Sequence, residues 1–387
     1  MTVTYSLEVS TSNFVTFLKL LKRWRGSIYK LVYREFVIYL MLYYALTIIY
    51  RFCLAPDSQR LFEEVALYFR KFADQVPMSF ALGFYVTVII GRWWDQCLNL
   101  PWVDRPALAV VAYVHGFDER ARIIRRTMVR YMNLMSVLAL RCMSGPVKKR
   151  FPTMQHIIDA GLMTEKENEL LEKHNSEFGN YFMPAVWWEN LVMQARKEGR
   201  IHDDYHIRTL NDEMNTFRGC CGMLFLHDWI SFPLVVTIAV YVYFMSCLLG
   251  RQHLYLTEKD SSFYGVIGEN FPLLTMFQFF FYMGWMKTGE VLINGLGEDD
   301  DDFEVNWIID RNLQIGYLLV DDLYNQYPEL TKDAHFSDAT VIVPHTQMSQ
   351  NLQNRGFLGS VAGVESVSVQ YVYVYIYQFR LVFFYFE

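Results

Sequence analysis

The chain has 387 residues, 53% of them hydrophobic and 17% aromatic, with 35 Lys and Arg against 41 Asp and Glu for a formal net charge of −6. The apolar and aromatic excess over an ordinary soluble protein points to lipid. The weak acidity, with no basic stripe interleaved with aromatics, argues against a nucleic-acid partner.

The first residues, MTVTYSLEVSTSNFVTFLKLLKRWRG, lack the apolar run and small-residue cleavage site of a signal peptide, so they are expected to stay on the protein. Residues 1–35 are read as an N-terminal cytosolic segment. Four stretches nearly free of charge follow, at 36–50, 76–91, 229–250 and 271–286. Only the third has the roughly 20 apolar residues a spanning helix needs. The others end in single charges, Arg51, Arg92 and Lys287, whose long stems can snorkel to the interface. Lys19, Lys22, Arg23, Arg25, Lys30 and Arg34 crowd the chain before the first stretch, whereas the loop at 251–270 has Arg251 and Lys259 against Glu258, Asp260 and Glu269. The positive-inside rule then makes the N-terminus cytoplasmic and that loop external, and four spans return the C-terminus to the cytoplasm.

Residues 36–100 are assigned to the first two membrane helices, after which Trp93, Trp94 and Trp102 fit either an interfacial aromatic belt or core packing. Residues 101–228 read as a cytosolic helical region. ERARIIRRTMVRYMNLMSVLALR sets Arg between apolar residues at helical spacing, and TEKENELLEKH is a short surface helix opened by Thr164. Residues 229–292 hold the third and fourth spans, and 293–326 an acidic cluster followed by a cytosolic helix. From about Tyr327 the chain turns polar and turn-rich, an extended or disordered tail through 387 that ends in a strand-like alternation, VSVQYVYVYIYQFRLVFFYFE. The six cysteines, Cys53, Cys97, Cys142, Cys220, Cys221 and Cys247, have neither CxxC spacing nor the density of a secreted framework, so they are read mostly as free thiols.

GEDDDDFE, Gly297 to Glu304, packs six carboxylates into seven consecutive residues. Like charges this close repel and raise one another's pKa, a cost that a bound cation relieves. An acidic helix start, with Asp301 and Glu304 at capping-box spacing, accounts for one or two of these acids. Calcium takes six to eight hard oxygen ligands, and the preceding LINGLG can turn at Gly295 and Gly297 to aim backbone carbonyls inward. The spacing is not that of an EF-hand, and magnesium also suits such oxygens.

His202 and His206 have the i, i+4 spacing of a helical zinc pair, but the HExxH glutamate is missing and no third ligand is evident, so they are read as surface histidines at a helix start. Asp203 and Asp204 are read as residues of that start. Val76, Phe80 and Phe84 recur at i, i+4 and i+8 along one helix face, as core packing or, in a symmetric oligomer, as apolar rings that gate a pore by dewetting. No nucleotide loop or Ser/His/Asp arrangement is present, and nothing in the sequence demands catalysis.

RWRGSIYKLVYREF, FYVTVIIGRWWDQCLNLPWVDR, LNDEMNTFRGCCG, DWISFPLV, QFFFYMGWMK and GEDDDDFEVNWIIDRN, collinear over about Met1 to Asp322, together resemble a bestrophin. The resemblance implies an all-α membrane protein with four transmembrane helices and a large cytosolic helical region per subunit. It also implies a homopentamer around one central pore in the lipid bilayer, acting as a calcium-activated chloride channel of the plasma membrane. The implied calcium clasp takes side-chain oxygens from Asp299 and Asp302 and backbone carbonyls from Val291 and Asn294, with another from Ser10 across a subunit boundary. The implied hydrophobic neck is Val76, Phe80 and Phe84. The cytosolic aperture falls on Tyr205, where vertebrate members have a small aliphatic residue, and an inhibitory segment on RGFLGSV, Arg355 to Val361. The competing reading is a non-conducting calcium-binding membrane regulator or scaffold of another channel; a metal-dependent membrane enzyme would need a catalytic carboxylate or histidine in a pocket.

Overall fold

The computed structural model describes residues 2–10, 14–174, 176–177, 179–254 and 272–349. The described part is helical, with no strand among the described residues. The terminal aromatic segment, RGFLGSV and most of the loop at 251–270 lie outside those residues.

The chain divides into two compact units, Met1–Tyr327 and Pro328–Glu387. The described part of the second, residues 328–349, consists of turns and irregular backbone. The first opens with α1 (Phe14–Leu21) and α2 (Ile28–Ile48), which continues as a π-turn through Ile49–Cys53. Ser27 caps α2 by accepting from the Lys30 amide at 3.4 Å. This helix begins eight residues before the charge-free stretch at 36, because Lys30, Arg34 and Glu35 sit on its first turns rather than in a preceding loop.

An amphipathic α3 (Pro56–Gln75), started by proline at its first position, leads into α4 (Met78–Leu98) across a bend of 46°. The bend falls at Val76 and Pro77. A proline disfavours helical backbone in the residue before it, and Val76 is extended at φ −82°, ψ 114°.

The third apolar stretch is interrupted as well. Pro233 separates the end of α11 (Asp204–Trp229) from α12 (Val235–Gly250), leaving an apolar helix of 16 residues where the sequence suggested the one full-length span. By length and composition, one helix among the described residues, Ile28–Cys53, is able to cross a membrane, or two if the bent pair α3 and α4 forms one span. With α13 (Leu273–Leu292), these helices form one aromatic-rich core in which Tyr39 stacks on Phe279 at 4.3 Å. The backbones of α12 and α3 cross closely: a Cβ on Gly250 would lie 2.6 Å from the Arg70 amide nitrogen, and the Arg70 guanidinium donates to the Gly250 carbonyl at 3.0 Å.

The second core surrounds α6 (Glu119–Met143), the helix foreseen from its alternating Arg and apolar residues. Its middle, from Met128 through Met135 to Ala139, is buried on nearly every side by α5 (Asp104–Tyr113), α10 (Met183–Lys197), α11 and α14 (Val305–Val320). The buried Arg125 is satisfied by the carbonyls of Val114, Gly116 and Val320 and lies 3.5 Å over the Tyr324 ring. Around this core, α7 (Gly145–Arg150), α8 (Met154–Asp159) and α9 (Glu165–Lys173) are short. Thr164 opens α9 with a complete capping box to Glu167, and Glu167 also forms a two-pronged ion pair with Arg130 at 2.6 and 2.7 Å. All six cysteines are free thiols.

Helix α14 packs against α6 where Gly316 lets Val129 approach, since a Cβ there would lie 2.6 Å from Val129 Cγ1. Gly316→Ala should therefore lower stability by about 1–3 kcal/mol through overpacking. Gly219→Ala, which meets open space on α11, should leave stability unchanged or raise it by up to ~1 kcal/mol. Denaturant unfolding of the purified variants checks both.

Candidate functional site

The acidic cluster forms the loop between α13 and α14, and its six acids differ in their surroundings. Glu298 pairs with Lys149 of α7. Asp300 accepts from the Gly26 amide at 3.1 Å and pairs with Lys30, which together hold its carboxyl below the usual range, Lys30 contributing most. Glu304 accepts from the Thr2 amide, which likewise depresses its pKa. The N-terminal segment crosses the loop, with the Thr2 hydroxyl donating to the Asp302 carbonyl and the Val3 amide to the Asp300 carbonyl at 2.9 Å.

Asp302 and Asp301 contrast with these. Asp302 is 2% exposed, its Oδ2 accepts from the Asp299 amide at 2.6 Å, and its buried Oδ1 has no hydrogen-bond partner. Burial first, then the charges of Asp299 and Asp301, push its pKa up to about 6. Asp301 is also raised, by burial and then by Asp300 and Asp299. A cleft of about 350 Å³ opens here between Thr2, Lys149, Gly297, Asp299, Asp302 and Glu304.

Glycine serves here to make room. A Cβ on Gly297 would lie 2.7 Å from Asp302 Oδ2 and 3.3 Å from the Asn294 carbonyl, and one on Gly295 would lie 2.6 Å from the Phe303 ring. Neither glycine has positive φ, so close approach is what requires them. The suggested capping box does not form: α14 starts at Val305, with Glu304 rather than Asp301 at its N-cap.

The loop is fastened to α4. The Gly295 amide donates to Gln96 Oε1 at 3.3 Å, and the Trp93 ring stacks on Phe303 at 5.1 Å. Trp93 is thus a packing residue, whereas Trp94 and Trp102 are both exposed, Trp102 with the Arg311 guanidinium over its ring at 5.2 Å. Gln96, 3% exposed near the end of an apolar helix, was the signal that could have revealed this attachment. Arg92 of α4 also donates to the carbonyls of Ile230, at 2.7 Å, and His227, satisfying the end of α11.

Of the predicted calcium ligands, Asn294, Asp299 and Asp302 come together. Val291 lies in the last turn of α13. Ser10 closes a turn on the Leu7 carbonyl, so Thr2 and Val3, rather than Ser10, are the N-terminal residues that meet the loop within one chain. No three His, Cys, Asp or Glu side chains among the described residues converge as a metal cluster. The donor set is two carboxylates with a backbone carbonyl, and the orphaned Asp302 Oδ1 is the feature that fits a hard cation.

Phe80 and Phe84 project from one face of α4, 65% and 63% exposed, with ring centroids 4.7 Å apart. Val76 is not on that helix. It lies at the bend and packs half-buried against the aromatic core, so the predicted three-residue stripe is two aromatics and a residue of the turn. Tyr205 is 70% exposed in the first turn of α11, which Asp203 caps by accepting from the Tyr205 amide at 2.8 Å. His202 precedes that helix and His206 lies within it; they stack separately, on His115 at 4.5 Å and on Tyr113 at 4.4 Å.

A helical fold with an acidic loop fastened to an apolar helix defines the class, and comparison supplies the family. The model of the family described as "Bestrophin, RFP-TM, chloride channel" matches residues 1–322. The chain is 46% identical over 368 residues to human Bestrophin-3, covering 93% of this chain and 54% of that protein. It is 47% identical over 367 residues to mouse Bestrophin-2, with 93% and 72% covered, and 45% identical over 369 residues to human Bestrophin-1, with 94% and 63% covered. The chain therefore spans about half to three quarters of the length of these relatives. A bacterial bestrophin homologue from Klebsiella pneumoniae, carrying a point mutation, shares the fold at TM-score 0.55 and 15% identity, covering 76% of this chain and 100% of its own. The chain belongs to the bestrophin family.

The buried Asp302 carboxylate is more easily protonated in the folded chain than in the unfolded one, so without a divalent cation folding should be favoured as pH falls from 7 through about 6. Asp302→Asn should remove that dependence and stabilise the cation-free protein at pH 7 by up to ~3 kcal/mol. Thermal unfolding in chelator at pH 5 and pH 7 measures both effects.

Proposed function

We propose that this chain is the pore-forming subunit of a calcium-activated anion channel of the plasma membrane. It assembles as a homopentamer with four spans per subunit and cytoplasmic termini, and it passes chloride. The observation that carries the reading is the attachment of the acidic loop to α4 through Gln96 and Trp93. Asp299 and Asp302, with the carbonyls of Asn294 and Val291 and that of Ser10 from a neighbouring subunit, would hold the calcium ion. Bound there, calcium supplies positive charge against the buried Asp302 carboxylate and the acids beside it.

The chain's own residues do the rest. Gln96 and Trp93 pass the position of the loop to α4, and Arg92 ties the same helix to the end of α11. Phe80 and Phe84, with Val76 at the bend, form an apolar neck that is dry when narrow and conducts when wetted. Residues 76–91 hold no basic side chain, so anion preference comes from helix dipoles, backbone amides and the positive edges of the aromatic rings. Tyr205 narrows the cytosolic aperture.

Whole-cell current under a chloride gradient, with cytosolic calcium stepped from nominally zero to micromolar, tests the reading. The expected current reverses near the chloride potential and is lost in Asp302→Ala. Protein assembled at the cell surface that carried no such current would instead support a non-conducting regulator. Phe80→Ala with Phe84→Ala should conduct without calcium. Gln96→Leu should leave calcium binding intact while lowering open probability by roughly 2- to 10-fold, the scale of one net hydrogen bond; parallel binding and current measurements separate the two effects.

A further inference from the structure

A cavity of about 860 Å³ lies away from the acidic cleft, between α1, the start of α2 and the first half of α13. Its walls are apolar and aromatic, chiefly Phe17, Leu20 and Leu21 from α1 and Phe277, Phe280 and Phe281 from α13. Several of these lack a full set of neighbours: Leu21 is 60%, Phe277 52% and Phe281 65% exposed. Arg23 and Arg25 line the same cavity from the segment that joins α1 to α2. Arg23 Nη1 is buried with no hydrogen-bond partner, and the carboxylate paired with it, Glu8, is 3.8 Å away. The rest of the Arg23 side chain is 33% exposed, so its guanidinium presents further N–H donors to the cavity, where an oxyanion forms charge-assisted hydrogen bonds.

We propose that this cavity is a binding site for an anionic phospholipid, with an acyl chain against the aromatic walls and the headgroup phosphate on Arg23 and Arg25. The place in the fold argues for lipid over a soluble anion. The cavity opens where α2, the helix apolar and long enough to cross a membrane, begins, and that beginning is flanked by Lys19, Lys22, Arg23, Arg25 and Lys30. Basic residues at the end of a spanning helix meet the anionic leaflet, each arginine contributing roughly fivefold in affinity for it. The charge on the two arginines selects an anionic over a zwitterionic headgroup, and the size suits part of a lipid chain. The inference rests on α2 and α13 lying in a bilayer and not on conduction or calcium.

The test uses the purified full-length chain in phosphatidylcholine vesicles that contain phosphatidylserine. Trace photoactivatable lipid with either a serine or a choline headgroup is added, and the labelled peptides are mapped. Serine-lipid labelling of α1 and of Leu273–Phe281 should exceed choline-lipid labelling at least fivefold, and Arg23→Gln with Arg25→Gln should remove that excess. The wild-type comparison stands alone if the double variant fails to fold. Equal labelling by the two headgroups, or labelling confined to other helices, would overturn the proposal. So would an excess that the folded double variant keeps, or cross-links showing the cavity filled by a second copy. Loss of current with the labelling pattern intact would count against the channel reading alone.

Discussion

The hydrogen bond from the Gly295 amide to Gln96 is the tie on which this site depends, because it sets a highly charged loop against an apolar helix. A loop with six acids has every electrostatic reason to move into water. Contacts on several sides hold it instead: Gln96 and Trp93 from α4, Thr2 and Val3 from the N-terminus, Lys30 and Gly26 at the start of α2, and Lys149 from α7. The aromatic-rich core, the core around α6 and the N-terminal segment therefore all meet at one loop.

The acids have unequal roles within it. Glu298, Asp300 and Glu304 serve mainly as attachments, each with a cation or a backbone amide. Asp302 is buried with one oxygen unmatched, and neighbouring acids raise its pKa further. A group that costs stability where it lies is the kind of feature that persists at functional sites. Arg23 has a comparable mismatch, a buried Nη1 without a hydrogen-bond partner, and its side chain lines an apolar cavity.

Much of the architecture around α6 was legible from local chemistry. The alternation in α6, the capping box at Thr164 and the cap at Asp203 are decided by residues close in sequence, and each appears where its pattern predicts. The apolar helices were less legible. Charged residues on the first turns of α2 hid its start, and prolines at 77 and 233 broke stretches that hydropathy alone treats as continuous. The capping-box spacing at Asp301 and Glu304 was present without the motif, because the neighbouring backbone is taken up by other bonds, at Asp300 from Val3, at Asp302 from Thr2 and from Phe303 to Gly295, and the helix starts only at Val305.

By itself the sequence determined the helical class, the free thiols and the concentration of carboxylates between α13 and α14, since composition, periodicity and short-range spacing carry those features, while its collinear motifs carried the resemblance to the family. Only the tertiary structure decided which acids are paired, which oxygen of Asp302 lacks a partner, that Gly295 and Gly297 serve close approach, and that Gln96 and Trp93 receive the loop. Those outcomes depend on contacts between residues some 200 to 300 positions apart, such as Gln96 with Gly295 and Thr2 with Glu304. A pattern read along the chain has no means of expressing which distant groups reach a buried charge first.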